Sequence, residues 1–179
     1  MTERKISTVE IESAVVKLFN KRVNIIIPNV FWGLNFLYEL DLLVINKNGY
    51  GYEIEIKASM SDLRADHKKQ HFHDSKRIKY LYYAIPEYMM ASAQLFIPDY
   101  AGIIIIKRHD SNDKCCAEIT AKPKVRNKYK FSDNEKLKIL HLISMRYWNT
   151  QETLIERCNE LKCLRSVNNA AKGGDSSSR

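Results

Sequence analysis

The strongest constraint on the fold is a nine-residue alternation, Tyr50 to Ala58, set directly after the turn signal Asn48-Gly49. Asn-Gly between apolar runs favours a tight hairpin turn, and a period of two places successive side chains on opposite faces. The segment from about 36 to 46 is the strand that enters this turn, so 36–58 is expected to be a β-hairpin. Ile54 and Ile56 then point into a core, while Glu53, Glu55 and Lys57 share the other face. Glu39 and Asp41 share one face of the entering strand by the same rule.

The rest of the chain supplies helices and short strands around that hairpin. Ser7 and Glu10 form a capping box, and Val9, Ile11, Val15, Val16, Leu18 and Phe19 recur at helical spacing, which predicts a helix over 7–21. Glu12 falls inside its apolar stripe, where an acid is costly unless it serves a purpose. Asn24 to Ile27 is a short β-branched run closed by Pro28, with a turn at Phe31 to Gly33. Residues 61–83 are charged and helix-compatible up to Pro86. Ala101 to Lys107 is a continuous apolar strand with a partner at Cys116 to Thr120. Ser132 and Glu135 form a second capping box for a helix ending near Trp148, and Asn149 or Thr150 is expected to cap another. The expected architecture is α/β or α+β, with a mixed sheet flanked by helices and a C-terminal helical extension.

The chain has 179 residues, 45% apolar and 28% charged. That suits one globular domain over about 1–165, with its core at 7–121 and its helical extension at 132–165. Residues 166–179 are Gly-, Ser- and Lys-bearing and are expected to be a disordered tail. No apolar run approaches the ~20 residues that span a bilayer, and no signal-type segment follows Met1, so the expected location is cytoplasmic without membrane insertion. The four cysteines lack zinc-site or disulfide-framework spacing and are expected to be free thiols. The net charge of +8 biases the partner toward a polyanion, DNA foremost, with RNA not excluded.

Carboxylates crowded on one face raise one another's pKa unless a cation neutralises them, and Mg²⁺ or Mn²⁺ suits oxygen ligands with room for water. Glu39, Asp41, Glu53 and Glu55 are the carboxylates that such an ion would draw on, Lys57 the candidate group for orienting water or stabilising phosphate charge, and Glu12 a third acid arriving from the first helix. An exposed charged face is the competing reading. It accounts for Glu53, which water can solvate, but accounts poorly for an aspartate flanked by Leu40, Leu42, Leu43 and Val44.

The order of an acid-bearing helix, Asp41 on a strand, then Glu55-Ile-Lys57 on its partner resembles the PD-(D/E)xK nuclease superfamily. The run Glu55-Ile-Lys57-Ala-Ser, Asp62-Leu-Arg64-Ala-Asp66-x-Lys68, Tyr80-Leu-Tyr82-Tyr83-Ala-Ile-Pro86 and Ala101-Gly-Ile-Ile is similar to its MmcB-like DNA-repair branch and related phage proteins, over about residues 35–123. The resemblance implies a restriction-endonuclease-like αβββαβ core and a metal-dependent DNA endonuclease acting in repair, recombination or phage DNA processing. Asp41 and Glu55 would be metal ligands, Lys57 the catalytic lysine and Glu12 the helix-borne acid. Relatives that cut both strands work as dimers, so a homodimer is compatible with it. No proline precedes Asp41, and Pro98-Asp99 lies on the wrong side of the Glu-x-Lys strand to substitute. The alternative on the same fold is a non-catalytic nucleic-acid-binding module or a phage-type interaction protein.

Basic residues form two candidate DNA surfaces. Lys122, Lys124, Arg126, Lys128 and Lys130 alternate, and an extended backbone would line them along one edge for roughly 27 Å. Arg64, Lys68 and Lys69, with Lys76, Arg77 and Lys79, follow the Glu-x-Lys strand. His67, His71 and His73 are expected to meet phosphate or water rather than zinc.

Overall fold

The computed structural model describes residues 4–31, 38–67, 73, 75–109 and 113–173, with backbone alone at 67 and over 165–173. The chain divides into two compact units, 1–135 and 136–179.

The first unit opens with helix α1 (Thr8–Leu18), whose capping box is formed as expected: the Ser7 hydroxyl accepts from the Glu10 amide, and the Glu10 carboxylate accepts from the Ser7 amide at 2.8 Å. Strands β1 (Ile25–Val30), β2 (Leu40–Ile45) and β3 (Gly51–Ile56) follow, then helix α2 (Met60–His67) and β4 (Ile78–Pro86). This is the αβββαβ order. A one-turn helix α3 (Met90–Ala93), β5 (Gly102–His109) and β6 (Lys114–Ala121) complete the unit. The six strands lie in chain order in one sheet. β1, β2 and β3 pair antiparallel, β3, β4 and β5 parallel, and β5 with β6 antiparallel, so the sheet is mixed and flanked by helices.

One face of the sheet buries Leu42, Val44, Ile54, Ile56, Ala84 and Ile104 beneath Ile11, Ala14 and Val15 of α1. The other face packs Leu81, Tyr83, Ile85, Ile103 and Ile105 against Leu63 of α2, Met89 and Ala93. Burial on both faces explains why β4 and β5 carry long apolar runs.

Several expectations are corrected. Pro28 lies inside β1 rather than ending it; β1 has a neighbour on one side, where a residue lacking an N–H is tolerated. The helix expected through 61–83 is limited to α2, and Ile78 to Pro86 form a central strand, because Ile78, Leu81, Ala84 and Ile85 bury on both faces. Helix α4 (Asp133–Gly173) starts at the Ser132 capping box but runs unbroken through 149–150 and into the expected tail. Thr150 and Thr153 donate back to the carbonyls of Arg146 and Asn149, so they continue the helix instead of capping a new one. No glycine or proline interrupts 133–172. The expected turn at 31–33 and the start of the second strand at 36–37 lie largely outside the described residues. Among the described residues no helix is long and apolar enough to cross a membrane.

Candidate functional site

The β2–β3 register places Leu43 opposite Glu53 and, by continuation of the ladder, Asp41 opposite Glu55. Leu42, Val44, Ile54 and Ile56 belong to the face under α1, so Asp41, Glu53, Glu55 and Lys57 project from the opposite face. The predicted convergence is met. The Lys57 ammonium lies 2.6 Å from Glu55 Oε2, 3.2 Å from Asp66 Oδ1 and 3.6 Å from Asp41 Oδ2. Asp41 Oδ2 also accepts the Ile56 amide at 2.9 Å, which fixes the aspartate across the strand pair.

Burial within the group is uneven. The Asp41 side chain is 39% exposed, whereas Glu55 and Lys57 are 2% and 3% exposed. A cavity of about 250 Å³ opens on Asp41 and Lys57, and Glu12, Thr8, Asn29 and Asp62 line it as well. Glu12 therefore reaches the same hollow from the first turns of α1, around the end of the sheet.

Glu53 is not the solvated residue that an exposed face would allow. It is fully buried, and with Asp66 and His73 it forms a network behind Glu55. His73 Nδ1 lies 2.7 Å from Glu53 Oε1 and 3.5 Å from Glu55 Oε1, while Nε2 lies 3.0 Å from Asp66 Oδ2. The Tyr83 hydroxyl donates to Asp66 at 3.0 Å and the Tyr38 hydroxyl to Glu53 at 3.1 Å. His73 is thus neither phosphate-facing nor solvated. Its backbone has φ of 52°, a left-handed conformation uncommon outside glycine.

Electrostatics follow from this packing. Burial pushes the Glu55 carboxyl up to about 7, reinforced by the Asp41 charge and opposed by Lys57 and His73. Burial also raises Glu53, against the pull of His73. For Lys57, burial alone favours the neutral amine, but the charges of Glu55, Asp41 and Asp66 outweigh it and hold the ammonium above its ordinary range. Burial opposes charge on His73 too, yet its bonds to Asp66 and Glu53 lift it to about 10. Burial and the neighbouring acids push the Tyr83 and Tyr38 hydroxyls upward, which keeps both as donors.

Sequence reasoning brought together Asp41, Glu55, Lys57 and Glu12. It assigned no role to Asp66, Tyr38 or Tyr83, and it expected His73 to meet phosphate or water. Glu53 had a usable signal, since it shares the alternation of Glu55 and Lys57. His73 lies in a segment without periodicity, where no pattern points to it.

The basic surfaces differ from expectation. Residues 122–130 belong to no strand, and their cations meet different partners. Arg126 is half-buried, with its guanidinium over the Tyr100 ring and its amide bonded to the Lys79 carbonyl. Lys124 pairs with Asp99 at 2.6 Å, and Lys130 sits over the Tyr50 ring. Lys122 and Lys128 are exposed. Arg64 is exposed with its guanidinium 5.5 Å above Phe96. Lys68 and Lys69 lie outside the described residues, as does His71.

No protein-family model and no curated protein matches the chain. Among solved structures, a protein of unknown function from Silicibacter pomeroyi is similar in fold: the match covers 84% of this chain and 92% of that one, at 16% identity and a TM-score of 0.57. At that identity the likeness shows the fold, a six-stranded mixed sheet flanked by helices.

Proposed function

We propose that this chain is a divalent-metal-dependent DNA nuclease that hydrolyses phosphodiester bonds at the hollow bounded by Asp41, Lys57 and Glu12. The observation that carries the reading is the meeting of Asp41, Glu55 and Lys57 at the end of β3, beside a polar cavity, on an αβββαβ core.

The donor set fits a hard cation. Asp41 and Glu55 would hold Mg²⁺ or Mn²⁺ through oxygen, with Glu12 facing the same cavity as Asp41. When bound, the ion supplies Lewis-acid polarisation of the phosphate and a more acidic water. Lys57, braced by Asp66 and Glu55, presents a fixed positive charge at the cavity wall, where charge develops on the phosphate. The Ile56 amide orients Asp41. Arg64, Lys122 and Lys128 are exposed cations available to a DNA backbone. A cytoplasmic location accords with four free cysteines.

One observation favours the rival reading of a non-catalytic nucleic-acid-binding module. Lys57 is already neutralised by buried carboxylates, as a structural cluster would require. Magnesium separates the two. Thermal stability of the chelator-stripped chain should rise in millimolar Mg²⁺, by about 3 kcal/mol when the ion stands at a hundred times its dissociation constant, and Asp41→Asn should abolish the shift. A wild-type melting curve indifferent to Mg²⁺ would leave only the binding module.

A further inference from the structure

The buried network behind Glu55 has the composition and geometry of a metal site of a different kind. His73 Nδ1 and one oxygen each of Glu53 and Glu55 lie within 4.8 Å of one another. Two of the separations, 2.7 and 3.5 Å, bracket the edge of about 3.4 Å expected between ligands held 2.1 Å from a tetrahedral ion. The terminal torsion of a glutamate is broad, so the remaining carboxylate–carboxylate separation closes by rotation of one group.

We infer that Glu53, Glu55 and His73 form a binding site for a divalent transition-metal ion that accepts mixed nitrogen and oxygen ligands, distinct from the Mg²⁺ position at Asp41. Two observations beyond the cluster itself point to it. Glu55 Oε1 is buried, has no hydrogen-bond partner and faces His73 Nδ1. The other ring nitrogen of His73 is bonded to Asp66, which is itself braced by the Tyr83 hydroxyl, and Tyr38 bonds the outer oxygen of Glu53. Ligating histidines are oriented by such a carboxylate on the far nitrogen. An imidazole nitrogen beside two carboxylates selects ions such as Zn²⁺, Fe²⁺ or Co²⁺ over Mg²⁺. A cavity of about 210 Å³, lined by Asp66, His73, Tyr83, Phe96 and Tyr100 among others, borders the imidazole.

The site shares Glu55 with the proposed nuclease centre but does not depend on it, and Co²⁺ as a visible-absorbing probe distinguishes them. The chelator-stripped full chain should take up one Co²⁺ with a ligand-field band that millimolar Mg²⁺ leaves in place. His73→Gln and Glu53→Gln should each weaken uptake at least tenfold, Asp66→Asn should weaken it ten- to a hundredfold, and Asp41→Asn should leave it intact. In wild-type protein, pulsed EPR with Cu²⁺ should show coupling to one imidazole nitrogen, a readout that needs no variant to fold. Absence of Co²⁺ uptake, a Cu²⁺ signal without imidazole coupling, or loss of uptake in Asp41→Asn with retention in His73→Gln would overturn the inference. The last result would place the ion at the nuclease position instead and leave that reading standing.

Discussion

Replacing Lys57 by methionine removes an ammonium that touches three carboxylates, and the cost should depend on pH in a calculable way. Lys57 is 3% exposed, with Glu55 and Asp66 buried around it. Withdrawing one partner of a buried pair leaves charge uncompensated and typically costs 3–5 kcal/mol. Glu55 supplies the pH dependence. Its carboxyl is lifted from 4.5 to about 7, so the folded state holds a proton that the unfolded chain releases, and wild-type stability falls as pH rises from 4.5 through 7 and then levels. In Lys57→Met the carboxyl loses its principal counter-charge and keeps its proton to higher pH. Below pH 7 both proteins carry a protonated Glu55, while above it the variant continues to lose about 1.4 kcal/mol per pH unit. Urea unfolding in EDTA, followed by circular dichroism, should therefore show a penalty of roughly 3–5 kcal/mol at pH 8.5 and about 2 kcal/mol less at pH 6. A penalty identical at the two pH values, or below about 1 kcal/mol at pH 8.5, would refute the reasoning.

Other outcomes follow from particular contacts. Gly102→Ala would set a Cβ 2.6 Å from the Tyr82 ring and 2.9 Å from the Ala121 carbonyl, and should lower stability by about 1–3 kcal/mol in a thermal melt. Glu135 caps α4 by accepting from Ser132 and bonds Arg77 and Tyr129, and although burial works against its charge these bonds hold its carboxyl down at about 2. Its stabilisation is present above pH 4.5 and lost as pH falls through 2, so melts of Glu135→Gln should show a weaker acid dependence than wild type. Lys122→Ala and Lys128→Ala should each reduce the salt slope of DNA binding by about one, read by fluorescence anisotropy across salt concentrations, whereas Arg126→Ala should lower the melting temperature because its guanidinium packs on Tyr100.

The sheet and its central acids were legible because their signals are local. Alternation from Tyr50 to Ala58 and the Asn-Gly turn determine which side chains share a face, and Asp41 among leucines signals a residue held for its charge. The β4 strand was missed because the lysines and arginine at 76–79 mask an apolar run whose meaning depends on parallel neighbours on both sides. The break expected at 149–150 failed because Thr150 satisfies its hydroxyl within the helix. His73 and Asp66 were beyond reach for a different reason: their roles come from tertiary packing against Glu53 and Tyr83, which no spacing along the chain encodes. The alternation over 122–130 does not correspond to a strand: Pro123 brings no N–H to a ladder, and Arg126 places its guanidinium over Tyr100.

Incubation of the wild-type chain with labelled forks, junctions, flaps, single strands and duplexes, in Mn²⁺ and in EDTA, tests phosphodiester hydrolysis at Asp41 and Lys57 most directly. Cleavage of at least one of these DNAs in Mn²⁺, its loss in EDTA, and a rate at least roughly a hundredfold lower for Asp41→Asn are the expected results. Intact DNA across the whole panel in Mn²⁺, or equal cleavage by Asp41→Asn, would contradict it.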